Sequence, residues 1–212
     1  MTPLLIMGAG TFAIETLEIA EMAGGFQPLG FVVNLDPPPA GTTLDGLPVF
    51  RADDLPFTPT ECHLVAGIVS TRRRGFIEIM QARGYRFTAV IHPSAVISRR
   101  ATIAPGCVVN AGVVVSPNTT IDAHVIVNRG CLIGHDNHIH PFCTLGPGAN
   151  LAGALEIGEG AYIGVGAVIR DHLTVGAEAV VGAGAVVVKS VPANVMVAGV
   201  PASVVKTGVK GL

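Results

Sequence analysis

The chain has 212 residues, of which 50% are hydrophobic, 13% charged and 5% aromatic, with 27 glycines and a net charge of -2 at pH 7. That length suggests one or two domains with a sizeable core, and the near-neutral charge gives no reason to expect nucleic acid or an acidic membrane surface as partner. Even the most apolar stretch, "AVVGAGAVVV" from Ala179 to Val188, falls short of the roughly 18 residues of a spanning helix, and "MTPLLIMGAG" lacks a basic leader region. A cytoplasmic location without membrane insertion is therefore expected.

Residues 1 to 88 read as alternating strands and helices. "LLIMGAG" is a buried strand entering a glycine turn, and "TFAIETLEIAEMAG" places Phe12, Ile14, Leu17, Ile19 and Ala20 near helical spacing before Gly24 and Gly25 stop it. "LGFVVN" is a second strand, "LDPPPAGTTLDG" a proline-rich loop, "HLVAGIV" a strand and "TRRRGFIEIMQARG" a helix. This is βαβ organisation with a parallel sheet, an α/β Rossmann-like domain. "GAGTFA" has the first two glycines of a dinucleotide fingerprint but Ala13 in the third place. Backbone amides at such a strand-to-helix turn favour a phosphate, although a tight turn without ligand has the same sequence. Arg72, Arg73 and Arg74 open a helix from which they can approach a diphosphate or remain solvated.

From 89 onward the chain repeats. An aliphatic residue falls at every sixth position, from Ile91, Ile97 and Ile103 through Val175, Val181 and Val187, in 17 consecutive matches. The residue two places earlier is usually small, as at Ala95, Cys107, Cys131, Cys143 and Ala161, with Thr119 and Asn137 also in that series. A period of six fits neither a 3.6-residue helix nor simple strand alternation. It fits short strands and tight corners, three hexapeptides to each coil of an all-β parallel β-helix, about five coils in all. Glycines directly after the aliphatic residue, as in "IGVGAV", are expected to supply the freedom the corners need. Three of the four cysteines (Cys62, Cys107, Cys131 and Cys143) occupy inward small positions, so they read as small hydrophobes rather than as disulfide, metal or redox groups.

With its preceding small domain, the repeat resembles the hexapeptide-repeat sugar acetyltransferases similar to NeuD and PglD, the sialic acid O-acetyltransferases and nucleotide-amino-sugar N-acetyltransferases. The resemblance implies three segments: a Rossmann-like nucleotide-sugar-binding domain over 1–88, a left-handed β-helix over 89–192, and a C-terminal segment over 193–212 contributing to the coenzyme site. It implies a homotrimer with active sites between subunits, acetyl-CoA as donor and no metal. By position, Gly8, Gly10 and Thr11 lie near the sugar nucleotide, with Asn34 or Asp36 near its base or ribose. Phe12 stands where PglD-like members have a histidine. Gly153, Val165 and Ala183 match positions along pantetheine, and Gly199, Pro201 and Ala202 in "VAGVPASVVK" match the terminal segment toward adenine, with Lys189 or Lys206 near the phosphates.

The stretch "VIVNRGCLIGHDNHIHP", residues 125–141, concentrates the polar chemistry. A metal site through His135, His138 and His140 is disfavoured because alternation on a strand turns 135 and 138 apart. The β-helix carbonic anhydrases draw histidines from two stretches, whereas the earlier coil here offers Arg99 and Arg100. Acid/base chemistry fits better: acyl transfer from a thioester needs a base, neutral imidazole titrates in range, and a neighbouring carboxylate fixes its tautomer. "NRGCLIGHD" resembles the family's N-x6-H-[DE] stretch, which implies His135 as general base, Asp136 as its partner and Asn128 as a substrate contact. His138 and His140 are expected on the outer face or at the trimer interface. Thr144, nine residues after the base where the pattern has a second histidine, is expected to contact the donor. The function so implied is acetyl transfer to a nucleotide-linked amino sugar. The alternatives are O-acetylation of sialic acid or another free sugar, and a non-catalytic trimeric scaffold that binds a sugar nucleotide.

Overall fold

A computed structural model describes residues 1–34, 39 and 41–212. In its N-terminal unit, β1 (Thr2–Met7), α1 (Thr11–Ala23), β2 (Phe26–Val33), β3 (Thr43–Leu44), β4 (Leu47–Arg51), β5 (His63–Ala66), α2 (Arg73–Ala82) and β6 (Arg86–Phe87) build a sheet of order β3-β4-β2-β1-β5-β6. All its pairings are parallel except β3 with β4. Leu4, Leu5, Ile6 and Met7 of the central β1 are fully buried, as an apolar run covered on both faces must be. The β3/β4 hairpin was not expected. Leu47–Arg51 contains Pro48, which falls in the two-residue pairing with the edge strand β3, while only Val49, Phe50 and Arg51 pair with β2.

The fingerprint turn shows why alanine can stand in its third place. A Cβ at Gly67, on the neighbouring β5 connection, would lie 2.7 Å from Ala13 Cα. The close approach of helix to sheet is thus provided by glycine on the strand side, which leaves room for the Ala13 methyl on the helix side.

The repeat folds as expected. Seventeen two-residue strands, β7 (Val90–Ile91) to β23 (Val186–Val187), recur every six residues, and β7 to β20 each pair in parallel with the strand 18 residues on. This is the left-handed parallel β-helix. Every third strand shares a face: β7 to β22 form the first, β8 to β23 the second, β9 to β21 the third. Two further strands, β24 (Val195–Gly199) and its antiparallel partner β25 (Ala202–Thr207), extend the first face. The core holds both residue series found in the sequence, including Cys107, Cys131 and Cys143 at 0% exposure. All four cysteines are free thiols, and burial pushes those of Cys107 and Cys143 up to about 12.

The glycines do different work from that expected. Left-handed backbone falls three residues after the aliphatic position, as at Asp136 (φ 56°) after Ile133. Gly134, directly after it, is needed instead because a Cβ there would sit 2.6 Å from the Ala152 carbonyl of the next coil. Coil stacking, rather than the turn, excludes a side chain.

The three faces have different surroundings. Val90, Val108 and Ile126 point outward from the first face and are buried beneath Leu17, Ile19 and Ala20 of α1, each such burial contributing about 1.5–3 kcal/mol. The second face exposes Val96, Val114, Leu132 and Val168. The third is polar.

The arginine run also differs from expectation. Arg73 is only 2% exposed and reaches no solvent groove. Its Nη1 donates to the Val69 and Ser70 carbonyls and to Thr144 Oγ1 (2.7 Å), and its Nη2 to the carbonyls of His124 (2.7 Å), Phe142 (3.0 Å) and Cys143 (2.8 Å). Burial lowers its pKa to about 10, so it remains a cation at neutral pH. Arg74 pairs with Glu78 and Glu159 and lies over the Phe142 ring. Arg72 faces an open groove with Lys206 and Lys210.

Arg73→Ala leaves a hydroxyl and several carbonyls without their donor, at about 1–3 kcal/mol each. Equilibrium unfolding in urea should show a loss of about 3 kcal/mol or more. Arg73→Lys should recover only part, because an ammonium cannot reproduce the fork.

Candidate active site

His135 and Asp136 lie at the corner between β14 (Leu132–Ile133) and β15 (His138–Ile139), where the apolar second face meets the polar third. Neighbours along a strand point apart, but the left-handed conformation of Asp136 turns its carboxylate back. Asp136 Oδ2 lies 2.6 Å from His135 Nδ1, and Oδ1 accepts from Asn118 Nδ2 at 3.0 Å. The Asn118 amide and then the imidazole hold the Asp136 carboxyl below its ordinary value. An ionised Asp136 accepts a hydrogen bond from His135 Nδ1–H, which fixes the tautomer and leaves the lone pair on His135 Nε2.

Two inward polar residues brace this corner, and sequence reasoning missed their role. The buried Asn137 donates to the Gly134 (3.0 Å) and Ala152 (2.9 Å) carbonyls and accepts from Leu155 N (2.7 Å). The buried Thr119 donates to the Gly134 carbonyl at 2.7 Å. Their signal was present as polar side chains at positions otherwise occupied by small or aliphatic residues.

Above His135 sits Gly153. A Cβ there would lie 2.7 Å from His135 Cε1 and 2.8 Å from Nε2, so the imidazole rests directly on the next coil's backbone. The expectation for Gly153 was a pantetheine contact; within the chain, its lack of a side chain seats the base.

The remaining expected residues divide among several places. Gly8, Gly10 and Thr11 line the turn at the carboxyl end of β1, with Gly8 in positive φ (103°) and Gly10 capping α1. Asn34 is exposed just after β2, at the same sheet edge, where open α/β sheets take their ligands. Asp36 lies outside the described residues. Asn128 is 5% exposed; its Oδ1 accepts from Arg129 N at 2.9 Å, which leaves its Nδ2 to offer. Val165 and Ala183 are exposed and stack at the corner between the first and second faces, so the second face separates them from Gly153 and His135. Gly199 and Pro201 form the β24–β25 turn. Lys206 shares a groove with Arg72 and Lys210 against the C-terminal residues, whereas Lys189 is exposed elsewhere.

Thr144 requires a correction. It is 0% exposed, donates to the Val69 carbonyl at 2.9 Å and accepts from Arg73. Its hydroxyl is spent on the junction between the two units, so the expected donor contact does not hold.

Among solved structures, the chain is similar to perosamine N-acetyltransferase from Caulobacter crescentus, solved with CoA and GDP-perosamine, at 32% identity over 96% of this chain and 97% of that one, with a TM-score of 0.87. It is also similar to the acetyltransferase domain of PglB from Neisseria gonorrhoeae, solved with acetyl coenzyme A, at 32% identity over 96% and 98%, with a TM-score of 0.86. The chain belongs to the hexapeptide-repeat sugar acetyltransferases. WeeI from Acinetobacter baumannii matches at 28% identity over 97% and 100%, with a TM-score of 0.82. No family model and no curated protein sequence matches the chain. Among the described residues, no helix of this acetyltransferase-family chain is long and apolar enough to cross a membrane.

The Gly153 contact generates a direct test. Gly153→Ala should leave the coil stack intact, because the exposed imidazole can swing aside, while displacing the base by about an ångström. A kcat loss of roughly 100-fold with unchanged thermal unfolding is expected, measured by acetyl-CoA consumption alongside calorimetry.

Proposed function

We propose that this protein transfers the acetyl group of acetyl-CoA to the amine of a nucleotide-linked sugar, with His135 as general base. The observation that carries the reading is the Asn118–Asp136–His135 chain, held at one corner in a member of the sugar acetyltransferases.

The amine attacks the thioester carbonyl as His135 Nε2 removes its proton. A C–N bond forms, the tetrahedral intermediate collapses with cleavage of the C–S bond, and the imidazolium returns the proton to the departing thiolate. Asp136 stabilises the imidazolium while it exists. The oxyanion is met by a backbone N–H. Attack is direct, since the inward cysteines are buried with raised pKa values and no base beside them.

In this reading Gly8, Gly10 and Thr11 lie near the sugar nucleotide, the amides of the turn meeting its diphosphate, and Asn34 or Asp36 meets the base or ribose. Asn128 contacts the sugar. Val165, Ala183, Gly199 and Pro201 line the coenzyme path, with Lys206 near its phosphates. The protein is a homotrimer, supported by the exposed ladder of Val96, Val114 and Leu132, an apolar strip of the kind that marks an interface, with Val168 beyond Asn150 on the same face. His135 lies at one edge of that strip and Val165 with Ala183 at the other, so a neighbour packed there completes the donor groove.

A second reading, O-acetylation of sialic acid or another free sugar, is favoured by one observation. Phe12 packs into the hydrophobic cluster of the N-terminal unit and offers no polar group to a nucleotide sugar.

His135→Ala should reduce turnover by about 100- to 10,000-fold while the thermal stabilisation by acetyl-CoA persists. Full activity in that variant would end the mechanism. A melting-temperature rise with a nucleotide-sugar, absent with free sugars, supports the first acceptor class; the reverse pattern supports the second. Leu132→Glu should convert the trimer to monomers in analytical ultracentrifugation and abolish activity with it.

A further inference from the structure

The third face carries a polar cluster that the acetyl-transfer chemistry does not use. His138 points outward from β15, and His140, two residues on, lies on the same side. The 18-residue register sets Glu156 beside His138, one coil later, and Asp122 beside His140, one coil earlier. Asp122 Oδ2 lies 2.9 Å from His138 Nε2 and 3.7 Å from His140 Nδ1. Glu156 Oε1 lies 3.5 Å from His138 Nδ1 and also pairs with His140 Nε2.

Each imidazole therefore turns one nitrogen toward Asp122 and the other toward Glu156. The two ring centroids are 4.0 Å apart, and Asp122, His138 and His140 each offer a ligand atom within 4.8 Å of the others. Donors around a tetrahedral zinc at about 2.0–2.1 Å are separated by about 3.3 Å, a value the 2.9 Å and 3.7 Å spacings bracket. On the far side, Glu156 accepts from His140 Nε2–H, which leaves His140 Nδ1 with a free lone pair, whereas His138 Nε2–H donates to Asp122 and ligates once an ion displaces that proton, with His138 Nδ1 3.5 Å from Glu156. A carboxylate behind the ligand histidines is the usual outer partner of a metal site.

Charge points the same way. With neutral imidazoles the cluster keeps two carboxylate charges in contact with the rings, and among the described residues neither Asp122 nor Glu156 pairs with a lysine or arginine. The four side chains are 31% to 48% exposed, open enough for an ion to enter and shielded enough for its charge to matter.

We propose that Asp122, His138 and His140 form a divalent transition-metal site of zinc type, with Glu156 orienting both histidines and water in the fourth position. The ion ties two successive coils, at β12 (Thr120–Ile121) and β15, with Glu156 of β18 (Glu156–Ile157) as the outer partner from a third, and its role is structural. It excludes His135, so it is a different set from the His135/His138/His140 grouping that strand alternation disfavours.

The test uses the full chain stripped with a chelator, then exposed to micromolar zinc chloride and passed through a desalting column. Elemental analysis should find one zinc per chain, and cobalt substitution should give the d–d absorption of a tetrahedral site. Asp122→Asn and His140→Ala should each lose that stoichiometry, and Glu156→Gln should weaken binding by about 10- to 100-fold. His135→Ala should bind as the unaltered protein does. Zinc should also raise the melting temperature of the unaltered protein but not that of Asp122→Asn. These side chains lie outside the core, so circular dichroism should show every variant folded. Retention of no more zinc by the unaltered protein than by Asp122→Asn, or loss of zinc in His135→Ala alone, overturns the assignment.

Discussion

Everything in this molecule depends on a backbone register of 18 residues. Each strand hydrogen-bonds to the one a full coil later, so a residue's neighbours above and below are fixed by sequence arithmetic. A column of side chains then behaves as one surface. The column from Val90 through Ile126 is apolar and receives the N-terminal unit; the column from Val96 through Val168 is apolar but for Asn150 and open; the column from Thr102 through Thr174 is polar. A slip of one residue would turn the aliphatic core outward, which is why the register is so strongly determined.

The same arithmetic explains what could be read from the sequence. All 17 strands coincide with the aliphatic positions, because a coil with no projecting loop lets one period govern the whole half. The βαβ order of the first half was legible from its apolar runs, and His135 with Asp136 from a local motif. Less legible was anything decided by contact across the chain. Arg73 reads as a solvated helix residue, yet it is buried because the coil carbonyls of His124, Phe142 and Cys143 converge on it. Thr144 reads as a donor contact and instead meets that same arginine. Thr119 and Asn137 were visible as exceptions to a pattern, but only the coordinates show that both turn toward the Gly134 carbonyl beneath the base.

Arg73 also couples the two units. Its guanidinium holds the Val69 and Ser70 carbonyls on one side and three β-helix carbonyls on the other. The segment it holds begins at Gly67 and Ile68, and Ile68 packs against Gly8 of the fingerprint turn. The C-terminal residues reinforce the joint, since Thr71 N donates to the Leu212 carbonyl at 2.8 Å and Gly211 N to that of Glu178 at 3.0 Å. The turn suited to a phosphate is thus set rigidly against the β-helix that carries His135.

The position of His135, the proposed base, follows from the meeting of two surfaces. A histidine in the middle of the apolar second face would be desolvated in any assembly there and would lose its basicity, whereas one on the polar third face would remain in water, far from a neighbouring subunit. The corner avoids both outcomes. There the left-handed Asp136 folds its carboxylate onto the adjacent imidazole, Asn118 from the previous coil steadies the carboxylate, and Gly153 from the next coil leaves room for the ring. Three successive coils each contribute one residue type that only that position can use: an amide able to adopt positive φ, a dyad, and a glycine. The corner is therefore specified by the register itself, and its free nitrogen needs no further support from the chain.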